Sequence, residues 1–381
     1  MPGLDHAFIA DSRLYVRRGG KSEEIESEFA RANLADYERR KTSSGWKTAN
    51  EGANGFAIWG KQGTAPAYTG FRFLAAVPAA SGVLYYLLTN GHVTGLFLYD
   101  LASREERRLF HKNDFYTEGL DYSPERRELV CAVAEEDGAV NVCLYNDEGR
   151  YKNVLTGGDS RDTHPSFSRA KPGQLLYQSA GIARHEAGGV VAVGPESLNR
   201  LDLESGEMEE IAADHRYDYL QPRDDKAGNI YCIRRPYRSP GAQNPLQSVG
   251  NVLLFPFHFL GAVVGFLKTF TRLFGEKPKR LGPDVQLPEH DKYIMVFGQA
   301  VNLAKIRRPK NENEDPSLVP ATYELIRISP QGDTEVLGKN VCGYDVSSEG
   351  EVHFTNGFRV HGGDKTLFRH SVIERLRMIG A

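Results

Sequence analysis

Cysteine, methionine and tryptophan are scarce in this 381-residue chain, with four, four and two copies. Cys131, Cys143, Cys232 and Cys342 make no Cys-x-x-Cys pair, so the close ligand spacing of a zinc site is missing. Cys131 and Cys143 can face each other across a hairpin; in a reducing cytosol all four are expected as small, half-buried apolar thiols. An excess of either charge is missing too. Lys and Arg total 47 against 50 Asp and Glu, for a net charge of −3. Phosphate backbones require a strongly basic face, so no nucleic-acid partner is expected. The opening stretch, MPGLDHAFIADSRLYVRRGG, has no basic segment leading into an apolar one; no secretory signal is read, and the expectation is a cytoplasmic protein. No Gly-x-Ser-x-Gly, His-Glu-x-x-His or paired-carboxylate signature occurs, and the reading is of a non-enzymatic protein with no cofactor. The stretch GFAIWGKQ at 55–62 ends in Gln62, where a phosphate-binding loop needs Ser or Thr for magnesium and a helix directly after. GGKS at 19–22 lacks the first glycine of that motif and reads as a hairpin turn.

What the chain does have is repetition. LFLYDLASREERRLF from Leu96, VCLYNDEGRYKNVL from Val142, LNRLDLESGEMEEI from Leu198 and ELIRISPQGDTEVL from Glu324 share one pattern: an alternating apolar strand, a polar turn and a second charged strand. A companion pattern, a short strand leading through a polar turn into a β-rich strand, appears in GLDYSPERRELVCAV from Gly119 and HPSFSRAKPGQLLYQ from His164. It recurs in LQPRDDKAGNIYCIR from Leu220 and GYDVSSEGEVHFTN from Gly343. Together the two patterns make a four-stranded unit. The first three starts are 46 and 56 residues apart, and a four-stranded unit at that period is the signature of a propeller blade. HAFIADSRLYVRRGGKSEEIES at 6–27 reads as a blade fragment that joins the last blade to close the ring, and 31–48 as a charged helical excursion.

At these repeats the chain resembles the TolB-like and WD40-like β-propeller family. DYSPERRELVCAV and PSFSRAKPGQLLYQ look like that family's Pro-x-Phe-Ser-Pro-Asp-Gly strand, and NVLTGGDSRDTHPSFS like its inter-blade linker. The family's Asp-Gly turn is replaced by Glu125-Arg126 in one unit and by Lys171-Pro172-Gly173 in the next. The resemblance implies an all-β propeller over 1–381 used as a scaffold for protein–protein interaction. The repeats predict six blades, with seven as the alternative.

Two loops invite a chemical reading. GGDSRDTHP brings Asp159, Asp162 and His164 within six positions, a set that can hold a metal or serve an enzyme at the channel mouth. The repeat itself calls for turn-capping side chains there, and all three are expected to be structural. QSAGIARHEAGG at 178–189 is a glycine-rich hairpin tip carrying Arg184 and His185, expected as a blade loop rather than a ligand grip.

The last gap in the repeat, 126 residues, exceeds one period by about 80, which places an insertion at 237–320 inside one blade. Within it, 252–267 is apolar except for His258. Sixteen such positions are fewer than the roughly 20 a membrane-spanning helix needs. Read as a helix inside 251–275, His258, Gly261, Gly265, Lys268 and Arg272 form one narrow stripe. The rest of the surface carries the aromatic and aliphatic side chains Phe257, Leu260, Phe266, Leu267, Phe270 and Phe274, with Phe255 and Phe259 beside them, and the segment ends in Lys277, Lys279 and Arg280. A broad apolar face with a basic flank suits peripheral docking on a membrane surface through 251–280. Docking on a protein partner or a second copy through the Gly261–Gly265 step, and packing against the propeller itself, are the other two readings.

Overall fold

The computed structural model describes residues 4–49, 70–79, 82–113, 115–185, 188–238, 293–296, 299–302, 306 and 316–380. The segments at 55–62 and 251–280 fall outside the described residues. The chain opens with β1 (Asp5–Ala10), β2 (Arg13–Arg18) and β3 (Lys21–Ile25), then the helix α1 (Glu28–Ala49). Ser27 caps this helix: its hydroxyl accepts from Ala30 N at 3.2 Å and donates to Glu106 Oε1 at 2.7 Å. A repeating antiparallel unit follows: β4 (Arg72–Ala79), β5 (Val83–Thr89), β6 (Val93–Asp100) and β7 (Glu106–Asn113). The same order recurs in β8 (Thr117–Ser123), β9 (Glu128–Ala134), β10 (Val140–Asn146) and β11 (Tyr151–Val154). The next unit contains β12 (Ser160–Phe167), β13 (Gln174–Arg184), β14 (Val190–Val193), β15 (Ser197–Asp202) and β16 (Met208–Ala212), with β14 paired only to the far end of β13. β17 (Tyr217–Asp224) and β18 (Ile230–Pro236) come next. A separate hairpin of β19 (Tyr293–Val296) and β20 (Gln299–Asn302) intervenes before β21 (Glu324–Ile328) and β22 (Thr334–Lys339), and β18 pairs directly with β21. After β23 (Gly343–Val346), β24 (Val352–Thr355), β25 (Arg359–Gly362) and β26 (Lys365–Arg369), the final strand β27 (Ile373–Ile379) returns to pair antiparallel with β1.

The innermost strands touch in sequence, β4 to β8, β12, β17, β23 and β27, and β27 touches β4 again. The sheets therefore stand radially around a closed ring, and the two ends of the chain are joined through His6↔Met378 and its neighbouring pairs.

Period-2 alternation explains the ring. Successive side chains of a strand point to opposite faces, and here each face meets a different neighbouring sheet. Cys131 and Cys143, directly opposed in register, pack on one side with Tyr85, Leu87 and Leu96. Val130, Val142 and Leu144 turn the other way, onto Leu175 and Tyr177. Leu176 then faces Ile230 and Cys232, whereas Tyr231 and Ile233 face Tyr344 and Val346. All four cysteines are buried thiols; burial pushes Cys131 up to about 12 and Cys143 up to about 11, so neither is a nucleophile near neutral pH. The outermost strands are charged, as in Lys21–Ile25 and Glu106–Asn113, which blunts exposed edges against pairing with other chains.

The two ends of the ring differ. Where the inner strands finish, connections such as 124–127, 168–173 and 225–229 are tight turns, and the Gly19-Gly20 turn, with both residues at positive φ, is one of them. Where the inner strands begin, the chain makes its long excursions: α1 before β4, the β13–β14 extension, and 237–323.

The axial channel, a candidate binding site

Four of the inner strands, β4, β8, β12 and β17, are bent at their middle. Register shifts fall between Phe73 and Ala75, Glu118 and Asp121, Thr163 and Ser166, and Leu220 and Arg223. At three of these bulges one residue takes positive φ: Gly119 at 71°, His164 at 50° and Gln221 at 55°. Gly119 has no substitute, because a Cβ there would meet the His164 Cα at 2.8 Å as well as occupying a left-handed backbone. The bulges re-aim side chains toward the axis, the usual use of this device beside functional sites.

Past the bulges the axis is crossed by a ring of four charges, two buried aspartates and two largely covered arginines. Asp345 Oδ1 lies 3.2 Å from Arg223 Nε and 3.5 Å from Arg377 Nη1. Asp121 Oδ1 lies 3.3 Å from Arg377 Nη2 and 3.7 Å from Arg223 Nη1. The remaining oxygens accept from backbone, Asp345 Oδ2 from Met378 N at 2.8 Å and Asp121 Oδ2 from Phe167 N at 2.9 Å. Burial works to lower Arg223, but the Asp345 and Asp121 carboxylates outweigh it and hold the guanidinium above its ordinary value. Opposite signs alternate around the ring and four inner strands are tied together.

Beside this layer lies a cavity of about 50 Å³, lined from all of the inner strands, with His164, Gln221, Arg223, Tyr344, Arg375 and Arg377 on its wall. Arg375 Nη1 and His164 Nε2 are 3.0 Å apart. Burial lowers Arg375 below its usual value, with Glu118 and Glu374 opposing. Nearer the excursion-bearing mouth, Glu196 is pushed up to about 8, by burial first and then by the neighbouring Asp218, whose own carboxylate accepts from Arg235 Nε at 2.8 Å.

The sequence grouped Asp159, Asp162 and His164, and the fold separates them. Asp159 is exposed and pairs with Arg184 Nε at 2.5 Å. Asp162 is buried and accepts from Ser179 Oγ at 2.6 Å and Ser160 Oγ at 3.2 Å. His164 alone reaches the axial cavity. Arg184, on the glycine-rich hairpin, also donates to Asp137 O at 2.6 Å and so clamps neighbouring loops. Sequence reasoning missed the charged ring. Its signal was the Gly-x-Asp shared by Gly119–Asp121 and Gly343–Asp345, which places a carboxylate on an inner strand.

No protein-family model matches the sequence, and no curated protein matches it. Among solved structures, TolB from Acinetobacter baumannii is similar with a TM-score of 0.50 at 9% identity, covering 98% of this chain and 66% of that one. A putative TolB from Agrobacterium tumefaciens gives 0.40 at 12% identity over 61% and 67% of the two chains. The chain thus spans 66% of the length of the Acinetobacter protein. The fold is that of a TolB-like β-propeller.

Proposed function

We propose that this TolB-like β-propeller is a six-bladed, non-enzymatic scaffold for a protein partner, docked peripherally on the inner face of a membrane through 251–280. The observation that carries the reading is the mounting of that segment. The excursion leaves β18 and returns to β21 across paired residues, Arg234↔Glu324, with Arg234 Nη2 and Glu324 Oε2 at 2.7 Å. The sheet is therefore complete without the excursion, and the chain leaves β18 and re-enters at β21 on the same end of the ring as α1 and the β13–β14 extension. Among the described residues no helix is long and apolar enough to cross a membrane. The composition of 251–280, sixteen nearly continuous apolar positions followed by Lys277, Lys279 and Arg280, supports interfacial rather than spanning attachment.

Liposome flotation tests this. Wild type floats with anionic vesicles and less with neutral ones. Phe266→Asp with Phe270→Asp abolishes flotation, and replacing Lys268, Arg272, Lys277, Lys279 and Arg280 by Gln weakens it mainly on anionic lipid. If the wild type floats with vesicles of neither kind, the membrane part of the reading is wrong. Loss of an oligomer when 251–280 is removed moves the segment to self-association.

A further inference from the structure

We propose that the axial cavity beside the charged ring binds a small monovalent anion of chloride size, with the Arg375 guanidinium as its principal partner. The charged side chains on the cavity wall are Arg223, Arg375 and Arg377, with His164 beside them, and no carboxylate lines it. Arg223 and Arg377 are neutralised by Asp121 and Asp345, neither of which lines the cavity. Arg375 differs: no carboxylate among the described residues lies within ion-pair distance, and its close contact is an imidazole nitrogen, His164 Nε2 at 3.0 Å. Glu118 and Glu374 act on this part-buried guanidinium only from beyond ion-pair distance, so no carboxylate among the described residues touches it, and a bound anion would supply the missing contact.

Size narrows the ligand. The cavity measures about 50 Å³, while a single water needs about 10–15 Å³ on the same scale. One halide-sized ion with a water fits; a nucleotide or sugar phosphate does not. Charge narrows it further, because the one guanidinium on the wall without a contacting carboxylate matches one negative charge. The bulge at Gly119 packs against the His164 backbone, which holds His164 beside Arg375 on the cavity wall. The inference is independent of membrane docking, which concerns a different part of the chain.

The test uses the full chain. Crystals soaked in sodium bromide and measured at the bromine edge should show an anomalous peak on the axis within hydrogen-bonding distance of the Arg375 guanidinium. In solution, thermal unfolding in sodium chloride should occur at a higher temperature than in sodium gluconate of equal ionic strength, because gluconate is too large to enter; the difference should grow with chloride concentration. Arg375→Gln should remove the difference, and Arg200→Gln, on an outer hairpin, should keep it. If Arg375→Gln does not fold, the bromide soak of the unaltered protein still decides. Water density without an anomalous signal, together with equal unfolding temperatures in the two salts, overturns the proposal.

Discussion

The two ends of this propeller are built from the same strands by different rules. At the end where the inner strands finish, turns are short and several are bonded across blades: Arg169 Nη1 reaches Val346 O at 2.7 Å, and Lys226 N reaches Ser348 O at 3.0 Å. At the other end, connections lengthen freely and the contacts between them include exposed ion pairs such as Arg184–Asp137. The difference follows from loop entropy. A long connection costs only slightly more closure entropy than a short one, so an end relieved of holding blades together can accept insertions. The turn end braces the blades, and the excursion end is the one that tolerates insertions.

The largest effect is expected on the turn end. Asp224 is buried and accepts from Ser168 Oγ, from Arg169 N at 2.7 Å and from Ala170 N at 3.4 Å, so a single carboxylate holds the turn of the preceding blade. Asp224→Ala leaves these donors without an acceptor and should cost about 3–4 kcal/mol, read from urea unfolding. A loss below about 1 kcal/mol would mean that the turns do not brace the ring.

Acid should loosen the same end next. His6 Nε2 and His353 Nδ1 share a 2.8 Å hydrogen bond at the ring closure, and both side chains are buried. Arg17 and Phe368 stand on the His6 side, Glu351 and Asp345 on the His353 side. Burial first, then His353 and Arg17, lower His6 from 6.5 to about 4, and burial lowers His353 as well despite Glu351. The unfolded chain therefore takes up protons before the folded one. Stability from His6 is complete above pH 6.5 and is lost as pH falls from there toward about 4. The loss is at most about 3 kcal/mol for His6, with His353 acting in the same direction. Unfolding titrations across that window check it, and His6→Phe should flatten the slope.

On the excursion end, Arg184→Ala removes the contacts to Asp137 and Asp159. Because those carboxylates are exposed, the stability change should be too small to resolve in the same titration. A loss as large as that for Asp224→Ala would erase the difference between the two ends.

Most of the fold was legible because the repeat writes the same alternation many times. Every hairpin read from it, 96–110 through 343–356, is a strand pair, the opening segment pairs with the last strand, and α1 covers the charged stretch at 31–48. Even the facing of Cys131 and Cys143 followed from counting across one turn. The axial site was much less legible. Asp121, Arg223, Asp345 and Arg377 come from four strands spread over most of the chain, and local pattern carries no information about which strands meet on an axis. Asp159, Asp162 and His164, expected to be structural, show the converse. They are neighbours in sequence, but alternation and a bulge send one to solvent, one into a hydroxyl cage and one to the channel.

A small stability change should also come from the largest deletion. Replacing 240–290 by a Gly/Ser linker of about a dozen residues retains the β19–β20 hairpin, whose Val296 packs with Leu220, Tyr231 and Leu318, and also retains Val319 and Tyr323. The β18–β21 pairing is untouched, since its register runs from Ile230↔Ile328 to Arg234↔Glu324. Shortening the connection changes only closure entropy, so stability should stay within about 1 kcal/mol of wild type. Flotation on anionic liposomes should nevertheless be lost. Intact stability with lost flotation would assign the ring to folding and the excursion to docking. A large loss of stability would instead show that 240–290 packs against the blades, the internal-packing reading of that segment.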